Sequence, residues 1–421
     1  MTTSRFRFLR RKDDYFKHFT VLDIGTEVAK VLVGRREGDE GTVLGVGREA
    51  EPRGAISGGA IDDVEAVIRS CNKALEAAED MAGVVPGQVV VGIGGELAKG
   101  FSSSISYPRE RPDAKVKEAE LKSLLQLVQK RALREAQQLL ELERAYGQLE
   151  ARLVHAAITG VKMDGYPLTT PLGFEGRNLE LTVFNMFAPK TQVEAMETVL
   201  RELDLELLTV VATPYALARA CATEEIWEHG GIYLDIGGST TEVALLRGGG
   251  IEGIRMFNVG GRSITRRLAA VSDLTLEEAE ARKLRYTEGL LPVGQADPVR
   301  RLVAVDVEVL LQGLNLSLRE LADGEALPST VYVAGGGSLL PEVVILLRQG
   351  DWAEGLPFPR RPAIRHLVPD DVGGVVDSTG QLKRASDMAP MALANYALTA
   401  AAEAEDPVQA VLREVLRELK I

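Results

Sequence analysis

The stretch YLDIGGSTTEVALL, from Tyr233 to Leu246, decides the fold, because its central pattern occurs twice in the chain. The other copy, VLDIGTEVAKVLV, runs from Val21 to Val33. Each copy consists of an apolar segment, then Asp-Ile-Gly, then a second apolar segment. Apolar, β-branched segments on both sides of a glycine turn are typical of β-hairpins. The sequence therefore predicts two related hairpins that lie far apart in the chain.

The turn of each hairpin has the composition of a phosphate-binding site. Glycine lets the backbone approach an anion closely, so that several N–H groups can point at one phosphate. Hydroxyl groups beside the glycines add donors. Asp23 and Asp235 stand just before the turns and could hold Mg²⁺, usually through water, because this ion keeps much of its hydration shell. The residues predicted to contact a nucleotide here are Gly25, Thr26, Lys30, Gly237, Gly238, Ser239 and Thr240.

A third element, TVYVAGGGSLLPEV, runs from Thr330 to Val343. It is predicted to be an apolar strand, a turn of consecutive glycines and a helix that opens with Pro341. The turn would offer a floor without side chains for a base or ribose, and helix N-termini favour nearby anions. Its predicted nucleotide-binding residues are Gly335, Gly336, Gly337 and Ser338. Either hairpin alone could be ordinary strand-end punctuation, but the third element favours a nucleotide site.

Composition and charge narrow the class of protein. The 421 residues are 45% hydrophobic and 26% charged, which predicts a globular chain of roughly two to four domains. The formal net charge of −12 argues against non-specific binding to nucleic acid. Two cysteines without metal-type spacing suit a reducing compartment. The sequence contains neither an apolar run of membrane-spanning length nor a signal-peptide pattern, so a cytoplasmic protein is expected.

The order of the three elements resembles that of the actin-like ATPase superfamily, which includes actin, the Hsp70 chaperones, sugar kinases and the bacterial cytoskeletal actins. The resemblance implies an α/β architecture, namely a duplicated actin-like (ribonuclease H-like) fold with two lobes that bind ATP and Mg²⁺ between them. Each lobe would then contribute one phosphate-binding hairpin, and this duplication would explain why the pattern occurs twice.

A more specific resemblance covers nearly the whole chain, from about Phe19 to Ala402. The segments VLGVGREAEPRGAISGG and QVVVGIGG are similar to the bacterial cell-division protein FtsA. A later segment, YPLTTPLGFEGRNLELTVFNMFA, resembles FtsA's inserted subdomain 1C (SHS2-like), which replaces subdomain 1B of actin. The pilus-assembly relative PilM shares this insert, whereas sugar kinases and Hsp70 lack it.

The resemblance implies a division of the chain into several parts. A basic N-terminal tail covers residues 1–18, and the first lobe (1A) covers 19–98, 189–230 and 389–405. The inserted subdomain 1C covers 99–188. The second lobe (2A) covers 231–260 and 330–388, subdomain 2B covers 261–329, and a C-terminal amphipathic helix covers 406–421. Within 1C, the leucine-rich segment from Lys115 to Leu149 is predicted to form one long helix or two packed helices, which could contact a filament neighbour or a partner.

The resemblance also assigns roles to side chains outside the glycine turns. Glu280 and Lys283 match an Ala-Glu-x-x-Lys helix that edges the adenine and ribose in relatives; a solvated helix face is the alternative. Hydrolysing relatives often have Glu or Gln before the proline of the inter-lobe helix, where this chain has Thr213, a poor general base. Thr241 matches a water-orienting threonine and is the predicted catalytic residue. The expected activity is at most slow ATP hydrolysis.

Both ends of the chain bear on membrane attachment. SRFRFLRRK, from Ser4 to Lys12, could contact an anionic membrane surface or form a disordered basic tail. DPVQAVLREVLRELKI, from Asp406 to Ile421, has a regular apolar stripe, but its charges nearly cancel and it lacks aromatic residues. Interfacial helices usually have a more basic face, so docking on protein is the alternative for this second segment.

The function that the resemblance implies is that of an FtsA-type bacterial actin. Such a protein would polymerise, bind the C-terminal peptide of the tubulin-like ring protein FtsZ, recruit division proteins and lie on the inner face of the cell membrane. One alternative is a PilM-type scaffold that binds a PilN-like peptide. A small-molecule kinase is a second alternative, although no recognisable motif supplies its acceptor-site aspartate.

Overall fold

The computed structural model describes residues 17–94, 98–142, 150–403 and 406–419, without the side chains of 139–142, 401–403 and 419. The chain begins with β1 His18–Ile24, β2 Val28–Glu37, β3 Glu40–Ala50, β4 Ile56–Ser57, β5 Ala60–Ile61, α1 Val64–Ala82 and β6 Gln88–Ile93. The predicted insert contains β7 Lys99–Pro108, α2 Glu118–Leu142, β8 Ala151–Met163, β9 Tyr166–Pro167 and β10 Asn178–Pro189. Then follow α3 Lys190–Glu202, β11 Glu206–Ala212, α4 Thr213–Cys221, α5 Glu224–His229, β12 Gly231–Ile236, β13 Thr241–Arg247 and β14 Gly250–Phe257. The remaining elements are α6 Gly261–Ser272, α7 Leu276–Thr287, α8 Val293–Ala322, β15 Thr330–Ala334, α9 Pro341–Gln349, β16 Ala363–His366, β17 Val375–Asp377, α10 Met388–Glu403 and α11 Pro407–Leu419.

The first lobe is built on a mixed sheet with the strand order β11-β6-β1-β2-β3-β17. Strands β1 and β2 form the first predicted hairpin, and β6 runs parallel to β1. Helix α1 packs directly on β3. A Cβ at Gly45 would come within 2.0 Å of a carbonyl oxygen of the helix, and a Cβ at Gly47 within 1.7 Å of another. Asp63 caps the helix by accepting a hydrogen bond from the backbone N–H of Ala66. The hairpin of β1 and β2 occupies the middle of this sheet, and its turn lies at the ends of these two strands.

The second lobe repeats this local topology. Strands β12 and β13 form an antiparallel hairpin, and β15 runs parallel to β12, as β6 does to β1. Helices α6, α7 and α8 pack on this sheet through an apolar core whose α8 stripe includes Val303, Val307, Leu310 and Leu314. The repetition of hairpin and parallel third strand is the duplication that the sequence predicted.

The insert is an antiparallel sheet in the order β7-β10-β8-β9, covered on one face by α2. The predicted long helical segment is described as one helix from Glu118 to Leu142, and residues 143–149 lie outside the described residues. The leucine stripe of α2 faces its own sheet, since Leu121, Leu124 and Leu125 are buried. That apolar face is therefore occupied within the chain.

The insert also extends the sheet of the second lobe, which the sequence did not predict. Strand β7 pairs with β14 at Gly253 opposite Phe101 and at Ile254 opposite Gly100. The hydroxyl of Ser102 adds a hydrogen bond to the carbonyl oxygen of Ile251, at 2.5 Å. A continuous sheet thus runs from β16 of the second lobe to β9 of the insert.

The C-terminal helix α11 is docked on the insert, as in one of the two alternatives predicted for this segment. Its apolar stripe enters the insert's core, where Val408, Val411, Leu412 and Val415 are buried. Lys122 of α2 holds the outer face, with Nζ 2.7 Å from Glu414 Oε1 and 2.6 Å from Glu418 Oε1. Burial of large apolar side chains contributes about 1.5–3 kcal/mol each, and exposed ion pairs add little. The apolar stripe therefore dominates the docking.

The described helices offer no candidate for a transmembrane span, since none of them combines the necessary length and hydropathy. The basic N-terminal stretch, predicted as a tail over residues 1–18, lies outside the described residues up to position 16.

Candidate functional site

A cleft of about 920 Å³ separates the two lobes and is lined by both hairpin turns and by the glycine turn after β15. Most of the residues predicted from the sequence line this cleft. They are Asp23, Gly25, Thr26, Lys30, Asp235, Gly237, Gly238, Thr240, Glu280, Lys283, Gly335, Gly336 and Gly337. Strands β1 and β12 each end at a turn facing the cleft, which is how two distant segments of sequence meet at one site.

The two aspartates make the cleft electrostatically suited to a cation. Burial and, to a smaller extent, the Asp23 carboxylate raise the pKa of Asp235 to about 6, and Lys30 opposes both effects. Lys30 lies 3.3 Å from Asp23 and donates a 2.8 Å hydrogen bond to the backbone oxygen of Ser386 in the second lobe. A nearby divalent cation would stabilise both carboxylates in the ionised form.

Among the described residues, however, no group of three or more His, Cys, Asp or Glu side chains could enclose a metal ion. Mg²⁺ keeps several waters and takes its remaining ligands from one or two carboxylates and substrate phosphates. The pair Asp23 and Asp235 fits that pattern. When bound, the ion would neutralise phosphate charge between the two turns.

The glycine turn after β15 forms the floor of the cleft, and its three glycines are not equivalent. Gly335 has a φ of +86°, and a Cβ there would come within 2.2 Å of the Asp235 carboxylate. A Cβ at Gly337 would come within 2.4 Å of the Ile236 side chain. At Gly336 the nearest atom to an added Cβ is 3.7 Å away, on Ser386. The first and third glycines thus allow close packing on β12, and the middle one faces open space.

Ser338 does not line the cleft, contrary to its predicted role in nucleotide binding. Its side chain is buried, with the hydroxyl donating to the Gly335 oxygen at 2.6 Å and lying 2.8 Å from His366 Nε2. These bonds fix the shape of the glycine turn from behind. Ser338 supports the floor without reaching a ligand.

Glu280 and Lys283 project from α7 into the cleft wall and do not lie on a solvated helix face. Lys283 Nζ lies 2.8 Å from Glu280 Oε2 and also bonds Thr265 Oγ1 at 3.1 Å and the Gly261 oxygen at 3.2 Å. Helix α7 is held at its start by a capping box between Thr275 and Glu278. The two predicted residues are thus presented by a well-anchored helix.

Thr241, the predicted catalytic residue, points away from the cleft. It is fully buried, and its hydroxyl donates to the Val259 oxygen at 2.7 Å. Successive side chains of a strand point to opposite faces, so Thr240 and Glu242, on either side of Thr241, line the cleft. Glu242 was not predicted from the sequence. The alternation of side-chain direction along β13 was the signal that could have identified Glu242. Ser239, in the turn itself, is also not among the lining residues.

Glu242 supplies a carboxylate to the cleft, where Thr213 cannot act as a base. A Cβ at Gly94 would come within 2.1 Å of Glu242 Oε1, so this second-lobe side chain reaches across to the end of β6 in the first lobe. Thr213 lines the cleft at the start of α4, as predicted. A carboxylate can orient or deprotonate water if it lies within hydrogen-bond reach of it.

The side chain of Glu51 is buried behind the first hairpin. The backbone N–H of Glu51 donates to the Glu27 oxygen at 2.9 Å, which ties the end of β3 to the hairpin turn. Neither carboxylate oxygen of Glu51 has a hydrogen-bond partner within the described part of the chain. Burial, with a smaller contribution from Glu49, raises the pKa of Glu51 from 4.5 to about 7, and the nearby Ser70 hydroxyl opposes the rise. Glu51 is therefore partly protonated near neutral pH.

Paired hairpins across an inter-lobe cleft, each beside a parallel strand, define the actin-like ATPase fold. The solved structure described as the PilM-PilN type IV pilus biogenesis complex contains a chain with this fold, at a TM-score of 0.63 and 19% identity. The similarity covers 90% of this chain and 98% of that one.

Sequence comparison leads from this class to a particular family. The family model described as cell division protein FtsA matches residues 232–373, which include the second hairpin and the glycine turn. Cell division protein FtsA of Streptococcus pneumoniae is 22% identical over 396 residues, covering 89% of this chain and 83% of that protein. FtsA of Enterococcus hirae is 24% identical over 404 residues, covering 90% and 87%. The predicted resemblance to the FtsA family is confirmed.

We predict that the buried carboxyl makes the folded state less stable as pH rises. The folded-state pKa of Glu51 lies above its ordinary value, so its contribution to stability is complete below about pH 4.5 and is lost as pH rises to about 7. Glu51→Gln should remove this loss, which is at most about 3.5 kcal/mol for a rise in pKa from 4.5 to about 7, at about 1.4 kcal/mol for each pKa unit.

The measurement is the free energy of unfolding in denaturant at about pH 5 and pH 8. Glu65→Gln is the control, because Glu65 is an exposed carboxylate on α1 and should keep the pH dependence of the unmodified protein. An equal pH dependence in Glu51→Gln would contradict the prediction.

Proposed function

We propose that this chain is an actin-like cell-division protein of FtsA type that binds Mg-ATP between its two lobes. The observation that carries the proposal is the meeting of three distant glycine turns at one cleft, lined by Asp23 and Asp235. Similarity to cell division protein FtsA over about nine-tenths of the chain supports the biological role.

The nucleotide would lie along the cleft with its phosphates between the two hairpin turns. Backbone N–H groups at Gly25 and Gly238 would face the phosphates, and Asp23 and Asp235 would hold Mg²⁺ largely through water. The base and ribose would rest on Gly336 beside Glu280 and Lys283. The cleft volume of about 920 Å³ lies within the range of ligand pockets, roughly 300–1,000 Å³.

ATP turnover is proposed to be slow. Thr213 lacks a basic group, and the Thr241 hydroxyl is engaged by the Val259 oxygen. Glu242 is the carboxylate that remains near the predicted phosphate position, and it would have to act in place of both threonines. The proposal therefore assigns ATP mainly a conformational role.

The partners we propose are those of an FtsA-type protein, namely other copies of the chain in a filament and the C-terminal peptide of FtsZ. Through these contacts the protein would link the division ring to the membrane and recruit division proteins. A PilM-type scaffold that binds a PilN-like peptide is the second candidate. The observation that favours it is the fold similarity to the PilM-PilN complex, which covers 98% of that chain.

We propose that membrane contact comes from the N-terminal basic stretch. The apolar stripe of α11 is buried in the insert and offers no free surface in this conformation. Residues 1–12 carry five basic side chains and no acidic one, which would attract the stretch to anionic lipid and place the protein peripherally on the inner face of the membrane.

We predict that Gly336→Val abolishes nucleotide binding without unfolding the protein. The added side chain has room, since its Cβ would lie 3.7 Å from the nearest atom, but it fills the floor where the base or ribose must rest. Affinity for a fluorescent ATP analogue with Mg²⁺ should fall at least about 100-fold. Gly294→Val is the matched control, because Gly294 lies in open space away from the cleft. Unchanged affinity in a folded Gly336→Val protein would refute the site.

We predict that the immobilised C-terminal peptide of FtsZ retains this protein and that the N-terminal peptide of PilN does not. The expectation rests on similarity to cell division protein FtsA in both sequence and family model. Scrambled versions of both peptides are the controls. Retention by the PilN peptide alone would replace the division role with the PilM-type scaffold.

We predict that a protein truncated to start at Asp13 loses co-sedimentation with anionic vesicles. Each basic residue near an anionic surface contributes about 1 kcal/mol, and salt reduces this value. A protein that ends at Asp406 should keep vesicle binding, since it retains the basic stretch. The opposite pattern, with binding lost only in the second protein, would mean that α11 leaves the insert to bind lipid.

A further inference from the structure

Arg262, the second residue of α6, connects the two hairpin turns directly. Its backbone N–H donates to the Gly238 oxygen at 2.7 Å in the second hairpin. Its guanidinium crosses to the first lobe, where Nη2 donates to the Thr26 oxygen at 2.8 Å and Nη1 to the Ile56 oxygen at 3.2 Å. Nε donates to the carboxylate of Glu27. One side chain thus binds three acceptors of the opposite lobe.

The two turns pack closely on the side of the cleft where these bonds lie. A Cβ at Gly238 would come within 2.6 Å of Glu27 Cγ, so the Glu27 side chain lies against the second hairpin. A Cβ at Gly260 would come within 2.7 Å of the Gly237 and Gly238 oxygens, so the start of α6 also packs on that turn. The Arg262 side chain is 15% exposed and the Glu27 side chain is 41% exposed, so the donor is largely buried and its carboxylate partner is partly solvated.

We propose that Arg262 and Glu27 form a clasp that holds the phosphate end of the cleft shut and limits the rate of nucleotide release. The clasp consists of Arg262 with its acceptors Glu27, Thr26 O and Ile56 O. The inference rests on the proposed function, because it takes the ligand of the cleft to be a nucleotide. Phosphates held between the two turns can leave only when the turns separate, and separation must break the clasp.

The clasp differs from the Arg53–Glu277 ion pair, which also crosses between the lobes. Arg53 lies 3.4 Å from Glu277, and both side chains are substantially exposed, at 39% and 76%. Solvated pairs of this kind contribute little, whereas hydrogen bonds from a charged, largely buried donor are the stronger class. A planar guanidinium can also serve three acceptors at once, which an ammonium group does less well.

The lobes also meet at other contacts, so loss of the clasp should open one end of the cleft and leave the other closed. Lys30 bonds the Ser386 oxygen at 2.8 Å, and Arg48 bonds Asp387 at 3.0 Å. Both contacts join the first lobe to the segment that precedes α10. The expected motion is a hinge-like separation of the hairpin turns about these contacts.

The test compares nucleotide release from the full chain and from three variants. A fluorescent ATP analogue is bound with Mg²⁺ and displaced by excess ATP, and its dissociation rate is recorded. Arg262→Ala should release the analogue at least about tenfold faster, and Glu27→Gln should show a smaller increase, since it keeps an acceptor but loses the charge. Arg53→Ala is the matched control and should stay within about twofold.

Small-angle X-ray scattering without nucleotide is the second measurement. The radius of gyration of Arg262→Ala should be larger than that of the unmodified protein. If the unmodified protein binds the analogue and Arg262→Ala releases it at an unchanged rate, the clasp is wrong and the nucleotide site stands. An equal acceleration by Arg53→Ala also overturns it, because any inter-lobe charge would then suffice. If the unmodified protein binds no analogue, the proposed function falls together with the clasp. If Arg262→Ala does not fold, the release rate of Glu27→Gln is the test: a faster release supports the clasp, and an unchanged rate contradicts it.

Discussion

The carboxylates of Asp23 and Asp235 lie at the ends of β1 and β12, facing one cleft from opposite lobes. Their mutual repulsion, together with burial, raises the pKa of Asp235 to about 6, and Lys30 offsets part of the effect. Two like charges that face one cleft require a structure that fixes both strands and an environment that accepts a cation. The parallel strands β6 and β15 fix β1 and β12 in their sheets. The glycines after β15 bring the chain within contact distance of Asp235. The cleft, its floor and its proposed ligand all follow from this arrangement.

The insert ties the parts of the molecule that surround the cleft to one another. Its strand β7 joins the sheet of the second lobe, and its strand β8 carries His155 into the first lobe's core. His155 lies 4.8 Å from the ring of Tyr215 on α4 and 5.7 Å from that of Tyr396 on α10, measured between ring centroids. Thr213, at the start of α4, lines the cleft.

Local sequence patterns were sufficient for the fold and for most of the residues that line the cleft. The two hairpins, the glycine turn and the duplication follow from composition and order, because each depends on residues that are close in sequence. The errors concern side-chain direction. Thr241 was assigned to the cleft from a motif, although strand alternation places it on the opposite face from Thr240 and Glu242. Ser338 follows the glycines in sequence but turns back to the Gly335 oxygen.

Contacts between distant segments could not be predicted from local patterns. The apolar stripe of α11 was visible, but its acceptor surface is formed by α2 and β8 from a different part of the chain. Arg262 and Glu27 are 235 residues apart, and neither stands in a pattern that indicates a partner. Ion pairs of this kind can be identified only from a structure that contains both lobes.

The central claim is that both hairpin turns and the glycine turn bind one nucleotide. Amide hydrogen exchange with and without Mg-ATP tests this claim most directly. Amides at residues 23–28, 235–241 and 335–338 should all exchange more slowly when nucleotide is added, because each turn gains a ligand and loses the freedom to open. Protection of one hairpin alone, or of none of the three segments, would contradict the account.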